Sequence, residues 1–191
     1  DVYKRQALEN FTLPGKANLE NINAAIACAK VLGISEETIS EFVSAVKPLP
    51  YRLEYIGKHK EIDFYNDSYA TNQRAAINAL QAFGDDLETH IAGGYDRGLE
   101  FDELAAAISK TKIKNLILFP STGEKIWKLV SNPEIQPYFV NSMEEAIEIA
   151  FEKTQKGKIC LLAPGSPSFG VFKDYKDRGD QFLNSVLKRS Q

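Results

Sequence analysis

Strand-like and helix-like segments alternate along most of this 191-residue chain, and this alternation limits the folds open to it more than any other feature. Residues 113–119 and 158–162 are short, almost wholly apolar runs, as expected for strands that are covered on both faces. The segments between such runs repeat apolar residues with a helical period, and the last helix is predicted at about residues 179–188. Alternating strands and helices favour an α/β class, with a Rossmann-like, mostly parallel sheet and helices on both faces.

Two further helices are predicted before this alternating region. Asn18 is placed to cap a helix over about residues 19–32, and Gly33 would end it. Ser35 then opens a second helix, in which Phe42 belongs to the predicted buried stripe.

Pro48 and Pro50 predict a linker after the second helix. Because two helices make too small a core to stand alone, residues 1–48 are predicted to be the helical tail of a preceding domain, and residues 49–191 a domain of their own. The first six residues, DVYKRQ, have no apolar period and no signal-peptide form. They are predicted to be an assembly scar at the 5′ end of a truncated reading frame.

After the linker, residues 53–56 and 62–65 predict a β-hairpin. Its turn is predicted at residues 57–60, with His59 as a solvated turn residue. The second strand would end at residues 66–68, Asn-Asp-Ser, and a helix would begin near Asn72.

Composition excludes several classes of partner. The net charge of −3 gives no basic field for nucleic acid, and no apolar run approaches the roughly 20 residues that span a bilayer. Cys28 and Cys160 lie in apolar stretches, so both are predicted to be buried free thiols, which fits a reducing cytoplasm.

Polar or glycine-rich loops follow the carboxyl ends of three predicted strands. They are residues 66–71 with Asp67 and Thr71, residues 93–98 with Arg97, and residues 163–170 with Ser168. Because such ends lie along one edge of a parallel sheet, we expect these side chains to face one crevice. Arginine offers a planar fork for carboxylate or phosphate there. Each residue also has a structural alternative, as a strand end, a solvated charge or a helix cap.

Five ordered segments resemble the Mur ligase family. They are LPGKANLENINAAIA (13–27), YRLE (51–54), FYNDSYATN (64–72), IAGGYDRGLEF (91–101) and LLAPGSPSFGVFKDYKDRGDQF (161–182). The last resembles the D-glutamate-adding branch. The resemblance implies a three-domain enzyme, in which residues 1–48 would end the central ATPase domain and residues 49–191 would form the carboxyl-terminal domain.

The implied reaction is ATP-dependent addition of D-glutamate to UDP-N-acetylmuramoyl-L-alanine through an acyl phosphate, during cytoplasmic synthesis of peptidoglycan precursors. The implied enzyme is a monomer. The resemblance assigns ATP contacts to Asn18, Asn21, Arg52 and Asp67, and D-glutamate contacts to Thr71, Arg97, Ser168, Phe169 and Tyr175.

The chain departs from the family pattern at Ala17, Tyr69 and Arg97, where histidine, lysine and lysine are usual. It also contains no G-x-x-x-x-G-K-[ST] phosphate loop. The ligands of Mg²⁺ and the UDP-sugar site are expected in an amino-terminal portion outside this chain. The chain alone is therefore expected to have no ligase activity.

Two alternatives remain open at this point. One is another amino-acid ligase of the same architecture, either a sibling Mur ligase or a folylpolyglutamate synthase. The other is a stand-alone Rossmann-like module that binds a small anion without catalysis.

Overall fold

The structure is a computed structural model, and it describes residues 13–190. The chain divides into two compact units, with the boundary between Leu49 and Pro50. The predicted assembly scar at residues 1–6 lies outside the described residues.

The first unit contains helices α1 (Lys16–Val31) and α2 (Glu36–Ala45). Gly33 follows α1 with a φ of 74°, and the Ser35 hydroxyl accepts a hydrogen bond from Thr38 N, so both predicted helix boundaries are confirmed. The prediction that Asn18 caps α1 is wrong. The helix begins one turn earlier, with Gly15 as its N-cap, and the Asn18 side chain donates to Pro14 O at 2.8 Å instead.

Four residues, Ile22, Ile26, Ile39 and Val43, form the small core of this unit. Two predictions about its burial are wrong. Phe42 is 61% exposed, and Cys28 is exposed rather than buried. Both belong to apolar stretches of sequence, but each helix contributes only two residues to this core, so the apolar residues beside them stay exposed.

The second unit alternates strands and helices as predicted. Its elements are β1 (Glu54–His59), β2 (Ile62–Asn66), α3 (Gln73–Phe83), β3 (Leu87–Gly93), α4 (Asp102–Ser109), β4 (Asn115–Phe119), α5 (Thr122–Leu129), β5 (Gln136–Phe139), α6 (Met143–Lys153), β6 (Ile159–Leu162) and α7 (Tyr175–Ser190). A short 3₁₀ turn, Gly84–Asp86, joins α3 to β3.

These strands form one six-stranded sheet in the order β1-β2-β6-β3-β4-β5. Only β1 pairs antiparallel with its neighbour; the other four pairings are parallel. Side chains pack on both faces of the sheet: Leu116 and Leu118 belong to one buried cluster, whereas Ile117 and Phe119 belong to the other. The predicted α/β class, with a mostly parallel sheet and helices, is confirmed.

The hairpin has a different turn from the one predicted. Gly57, Lys58 and His59 continue β1, and the turn consists of Lys60 and Glu61, with φ values of 49° and 66°. Two consecutive positive φ values are typical of a tight hairpin turn. Gly57 lies instead at a shift of the β1–β2 register, where a glycine accommodates a bulge.

The last helix begins earlier than predicted, at Tyr175 rather than Gly179. Asp174 caps it, since its carboxylate accepts from Lys176 N and Asp177 N at 2.8 and 2.9 Å. Gly179 lies inside this helix, and a side chain there is excluded because a Cβ would come within 2.3 Å of the Tyr51 ring. This glycine makes room for a neighbour and does not mark a boundary.

Candidate functional site

The three polar loops lie side by side, because β2, β6 and β3 are consecutive and parallel in the sheet. Backbone hydrogen bonds join the loops to each other. Gly165 N donates to Ala70 O at 2.8 Å, and Tyr95 N donates to Pro167 O at 2.8 Å. The three loops therefore share one edge of the sheet, as the sequence predicts, and ligand binding at this edge stays a prediction.

Arg178, a residue of helix α7, holds two of these loops through hydrogen bonds. Its side chain is 0% exposed, and its guanidinium donates to Ser68 Oγ at 3.0 Å, Ser68 O at 2.8 Å and Ser166 O at 3.1 Å. Burial lowers the pKa of Arg178 to about 9. No carboxylate in residues 13–190 pairs with it, so a single buried cation satisfies carbonyl and hydroxyl oxygens of the β2 and β6 loops.

A second buried contact ties in the loop that follows β3. Thr122, at the start of α5, bonds to Ser166 Oγ at 2.8 Å and donates to Gly94 O at 3.1 Å. A Cβ at Gly94 would lie 2.3 Å from Pro167 O, so the β3 and β6 loops approach closer than any side chain would permit.

Asp67 occupies the end of β2 with its carboxylate largely buried. Oδ1 accepts a hydrogen bond from Leu53 N at 3.2 Å, and Oδ2 accepts none from the described chain. Desolvation raises the pKa of Asp67 to about 7, against smaller opposing effects of the Leu53 bond and the nearby charge of Arg52. A buried carboxylate with one uncommitted oxygen suits a ligand hydroxyl as donor.

Arg52 lies at the same end of the edge. Its Cζ is 4.2 Å from the centroid of the Tyr69 ring, and Tyr69 packs edge-on against Tyr175 with ring centroids 4.7 Å apart. Tyr69, the residue that replaces the usual lysine, therefore gives the guanidinium an aromatic surface instead of a neighbouring charge.

Arg97 and Phe169 approach each other from the β3 and β6 loops. The Arg97 Cζ lies 5.6 Å from the Phe169 ring centroid, and both side chains are exposed. Ser168, beside them, is 3% exposed and accepts a bond from Phe172 N through its carbonyl. Thr71 is half-buried in the β2 loop. Every residue to which the resemblance assigned D-glutamate is thus in or beside the three loops.

The two asparagines assigned to ATP belong to the first unit, on α1. Asn18 is half-buried and bonded to Pro14, whereas Asn21 is exposed.

Arg178 is the residue supporting the site that the sequence did not reveal, because a buried arginine looks like any other helical arginine when only the sequence is read.

Within residues 13–190, no group of three or more His, Cys, Asp or Glu side chains is arranged to hold a metal ion. In the same part of the chain, none of the helices combines the length and the apolar character that crossing a bilayer requires.

Comparisons of the sequence with known proteins agree on one family. Residues 51–165 match the family model of the Mur ligase, glutamate ligase domain. The chain is 38% identical over 182 residues to the UDP-N-acetylmuramoylalanine–D-glutamate ligase of Geobacillus kaustophilus, and 39% identical over 183 residues to that of Caldanaerobacter subterraneus. These alignments cover 95% and 94% of this chain but 40% of each relative.

Solved structures show the same fold at low sequence identity. The MurF ligase of Thermotoga maritima in complex with ADP matches with a TM-score of 0.67 and 17% identity, over 92% of this chain and 40% of that one. The folylpolyglutamate synthase of Thermotoga maritima matches with a TM-score of 0.60 and 15% identity, over 94% and 42%. Since the family model spans more than half of the chain, this protein belongs to the Mur ligase family.

Proposed function

We propose that this chain is the carboxyl-terminal part of an ATP-dependent ligase that adds D-glutamate to UDP-N-acetylmuramoyl-L-alanine. The names of relatives at 38% and 39% identity support this choice over sibling ligases and folylpolyglutamate synthase. The observation that carries it is the meeting of Asp67, Arg97 and Ser168 loops at one sheet edge. In this proposal the first unit ends the central ATPase domain and the second is the carboxyl-terminal domain.

The proposed reaction has two steps. The γ-phosphoryl group of ATP passes to the substrate carboxylate, giving an acyl phosphate and ADP. The amine of D-glutamate then attacks the acyl carbon, phosphate leaves, and the nitrogen loses a proton to form the amide. Activation is needed because a carboxylate has no good leaving group, and the enzyme gains most by holding amine and acyl carbon together away from water.

D-glutamate is a dicarboxylate, so its site needs a cation and several hydrogen-bond donors. Arg97 offers the cation, on an exposed side chain whose Cζ lies 5.6 Å from the Phe169 ring centroid. Thr71, Ser168 and the backbone of Phe169 are the proposed donors, and the Tyr175 ring is the proposed wall.

The nucleotide is proposed to lie nearer β2. The free Oδ2 of Asp67 would accept a ribose hydroxyl, and Arg52 would contact the phosphates. Asn18 and Asn21 are the proposed adenine contacts. The described residues offer no cluster for Mg²⁺, so its ligands are proposed to belong to other parts of the ligase, where the ion would neutralise phosphate charge. Cytoplasmic action as a monomer completes the proposal.

Replacing Arg97 by alanine in the full-length ligase is expected to raise the KM for D-glutamate about 10-fold to 100-fold, as loss of one charge-assisted hydrogen bond would. Arg97→Lys keeps the charge and should raise KM less. Arg189→Ala is the matched control, because Arg189 pairs with Glu148 on the surface at the far end of α7. Steady-state kinetics with D-glutamate varied measures all three.

The same assay tests the proposed function itself. Phosphate release should depend on D-glutamate, and neither L-glutamate nor D-alanine should replace it. Release that depends on another amino acid would favour a sibling ligase or a folylpolyglutamate synthase. The 191-residue chain alone should release no phosphate, since its sequence has no phosphate loop. Nucleotide binding without turnover in the full-length protein would favour the binding module.

A further inference from the structure

The residues on either side of Arg52 have an unusual backbone. Tyr51 and Leu53 have φ values of 63° and 46°, in the left-handed region that side chains other than glycine rarely adopt. Arg52 thus projects from a short segment, residues 51–53, that has to be held in place by its surroundings.

Backbone hydrogen bonds fix this segment at several points. Tyr51 N donates to Glu54 Oε2 at 2.9 Å, and Tyr51 O accepts from Tyr69 N at 3.1 Å. Leu53 N donates to Asp67 Oδ1 at 3.2 Å. These bonds tie the segment to β1 and to the β2 loop, but none of them reaches helix α7.

The Tyr51 side chain makes the link to α7. Its hydroxyl donates to Asp180 Oδ1 at 2.8 Å, and its ring lies against Gly179 and edge-on to Tyr175, with centroids 5.8 Å apart. The bond to Asp180 raises the pKa of Tyr51 to about 12, so the hydroxyl remains a donor at neutral pH. Any side chain in place of Gly179 would push the ring out of this position.

Arg52 itself uses only the face of its guanidinium, which stacks on Tyr69. In the described part of the chain its N–H groups make no hydrogen bond and no ion pair, although the side chain is exposed. The N–H donors of Arg52 are therefore available to an anion. Residues 51–53 and the Tyr69 ring set the orientation of these donors.

We propose that Tyr51 is a positioning residue for Arg52. Through Asp180 and the space above Gly179, it fixes residues 51–53 to α7 and so orients the Arg52 guanidinium toward the phosphates of ATP. The orienting role follows from this chain's own contacts, and its purpose rests on the proposed function. Tyr51 touches no reacting atom in this scheme and acts only through Arg52.

The first test is nitrogen relaxation of the Arg52 Nε–Hε group by NMR, in the 191-residue chain. The wild-type group should be ordered, and Tyr51→Phe should lower its order parameter to below about 0.6, the range of flexible groups. Tyr55→Phe is the matched control, since Tyr55 OH makes a similar bond to Asp63 at 2.6 Å in the hairpin. Asp180→Ala should reproduce Tyr51→Phe, whereas Asp180→Asn keeps an acceptor and should lie closer to wild type. Unchanged order in Tyr51→Phe overturns the proposal.

The second test is a double-mutant cycle in the full-length ligase, with the KM for ATP as readout. Tyr51→Phe should raise this KM about tenfold when Arg52 is present and leave it unchanged in an Arg52→Ala background. An equal rise in both backgrounds means that Tyr51 does not act through Arg52, and this overturns the proposal. If Arg52→Ala alone leaves the KM for ATP unchanged, the phosphate role of Arg52 fails, while the relaxation data decide whether Tyr51 orients it.

Discussion

Replacing Arg178 by alanine is expected to lower the free energy of unfolding by about 4 kcal/mol, the size seen for large buried side chains with several partners. Three oxygens would lose their donor: Ser68 Oγ, Ser68 O and Ser166 O. All three oxygens belong to the loops of the candidate site, so the substitution should weaken binding of D-glutamate as well as lower stability. Urea unfolding of the 191-residue chain, followed by circular dichroism, measures the change.

Arg189→Ala is the control on the same helix. Arg189 forms an exposed ion pair with Glu148 at 2.6 Å, and loss of such a pair should change the free energy by about 0.5 kcal/mol or less. Arg178→Lys should recover part of the loss, because lysine keeps a charge but has no planar fork. Similar midpoints for Arg178→Ala and Arg189→Ala would show that the buried guanidinium does not support the loops.

The sequence predicted the fold and the shared edge of the three loops, because both depend on local patterns. Apolar runs such as residues 113–119 and turn residues after them are visible one segment at a time. The same reasoning failed where the role of a residue depends on a contact with a residue far away in the sequence. The local pattern predicts Gly57 in the hairpin turn and Gly179 at the start of the last helix. In the structure the first accommodates a bulge and the second accommodates the Tyr51 ring, 128 positions away in the chain (179 minus 51).

The supporting contacts of the site were beyond the sequence for a related reason. Arg178 and Tyr51 have no local pattern that separates a buried or bonded side chain from a solvated one. The neighbouring order of β2, β6 and β3 also depends on how connections cross the sheet, and only that order brings Ser68 and Ser166 within reach of one guanidinium. The resemblance supplied candidate ligand contacts, whereas the structure supplied what holds them.

Replacing Asp67 by asparagine is expected to stabilise the second unit at pH 8 and to change little at pH 4. Burial raises the pKa of Asp67 to about 7 in the folded protein, whereas an aspartate in an unfolded chain has a pKa of about 3.9. The folded state therefore binds the extra proton between these values. The protonated Asp67 carboxyl contributes to the free energy of unfolding, and this contribution is fully present below pH 4 and is lost as the pH rises through 7.

A shift of this size corresponds to about 2–4 kcal/mol of unfolding free energy at pH 8. Asparagine carries no charge and still offers an oxygen to Leu53 N, so the Asp67→Asn chain escapes that cost. The measurement is urea unfolding of both chains from pH 4 to pH 8, compared as a difference. The difference is needed because burial lowers the pKa of His90 to about 4, and this residue makes both chains more stable as the pH rises from 4 to 6.5.

If the Asp67→Asn chain is no more stable than the wild-type chain at pH 8, burial of the Asp67 carboxylate does not destabilise the fold. If the stabilisation is observed, Asp67→Asn in the full-length ligase should also raise the KM for ATP, because an ionised Oδ2 is the proposed acceptor for the ribose hydroxyl. A residue that costs the fold stability and is needed for binding is what a ligand site predicts. A purely structural strand end would instead favour the more stable asparagine, which fits the same position without the charge.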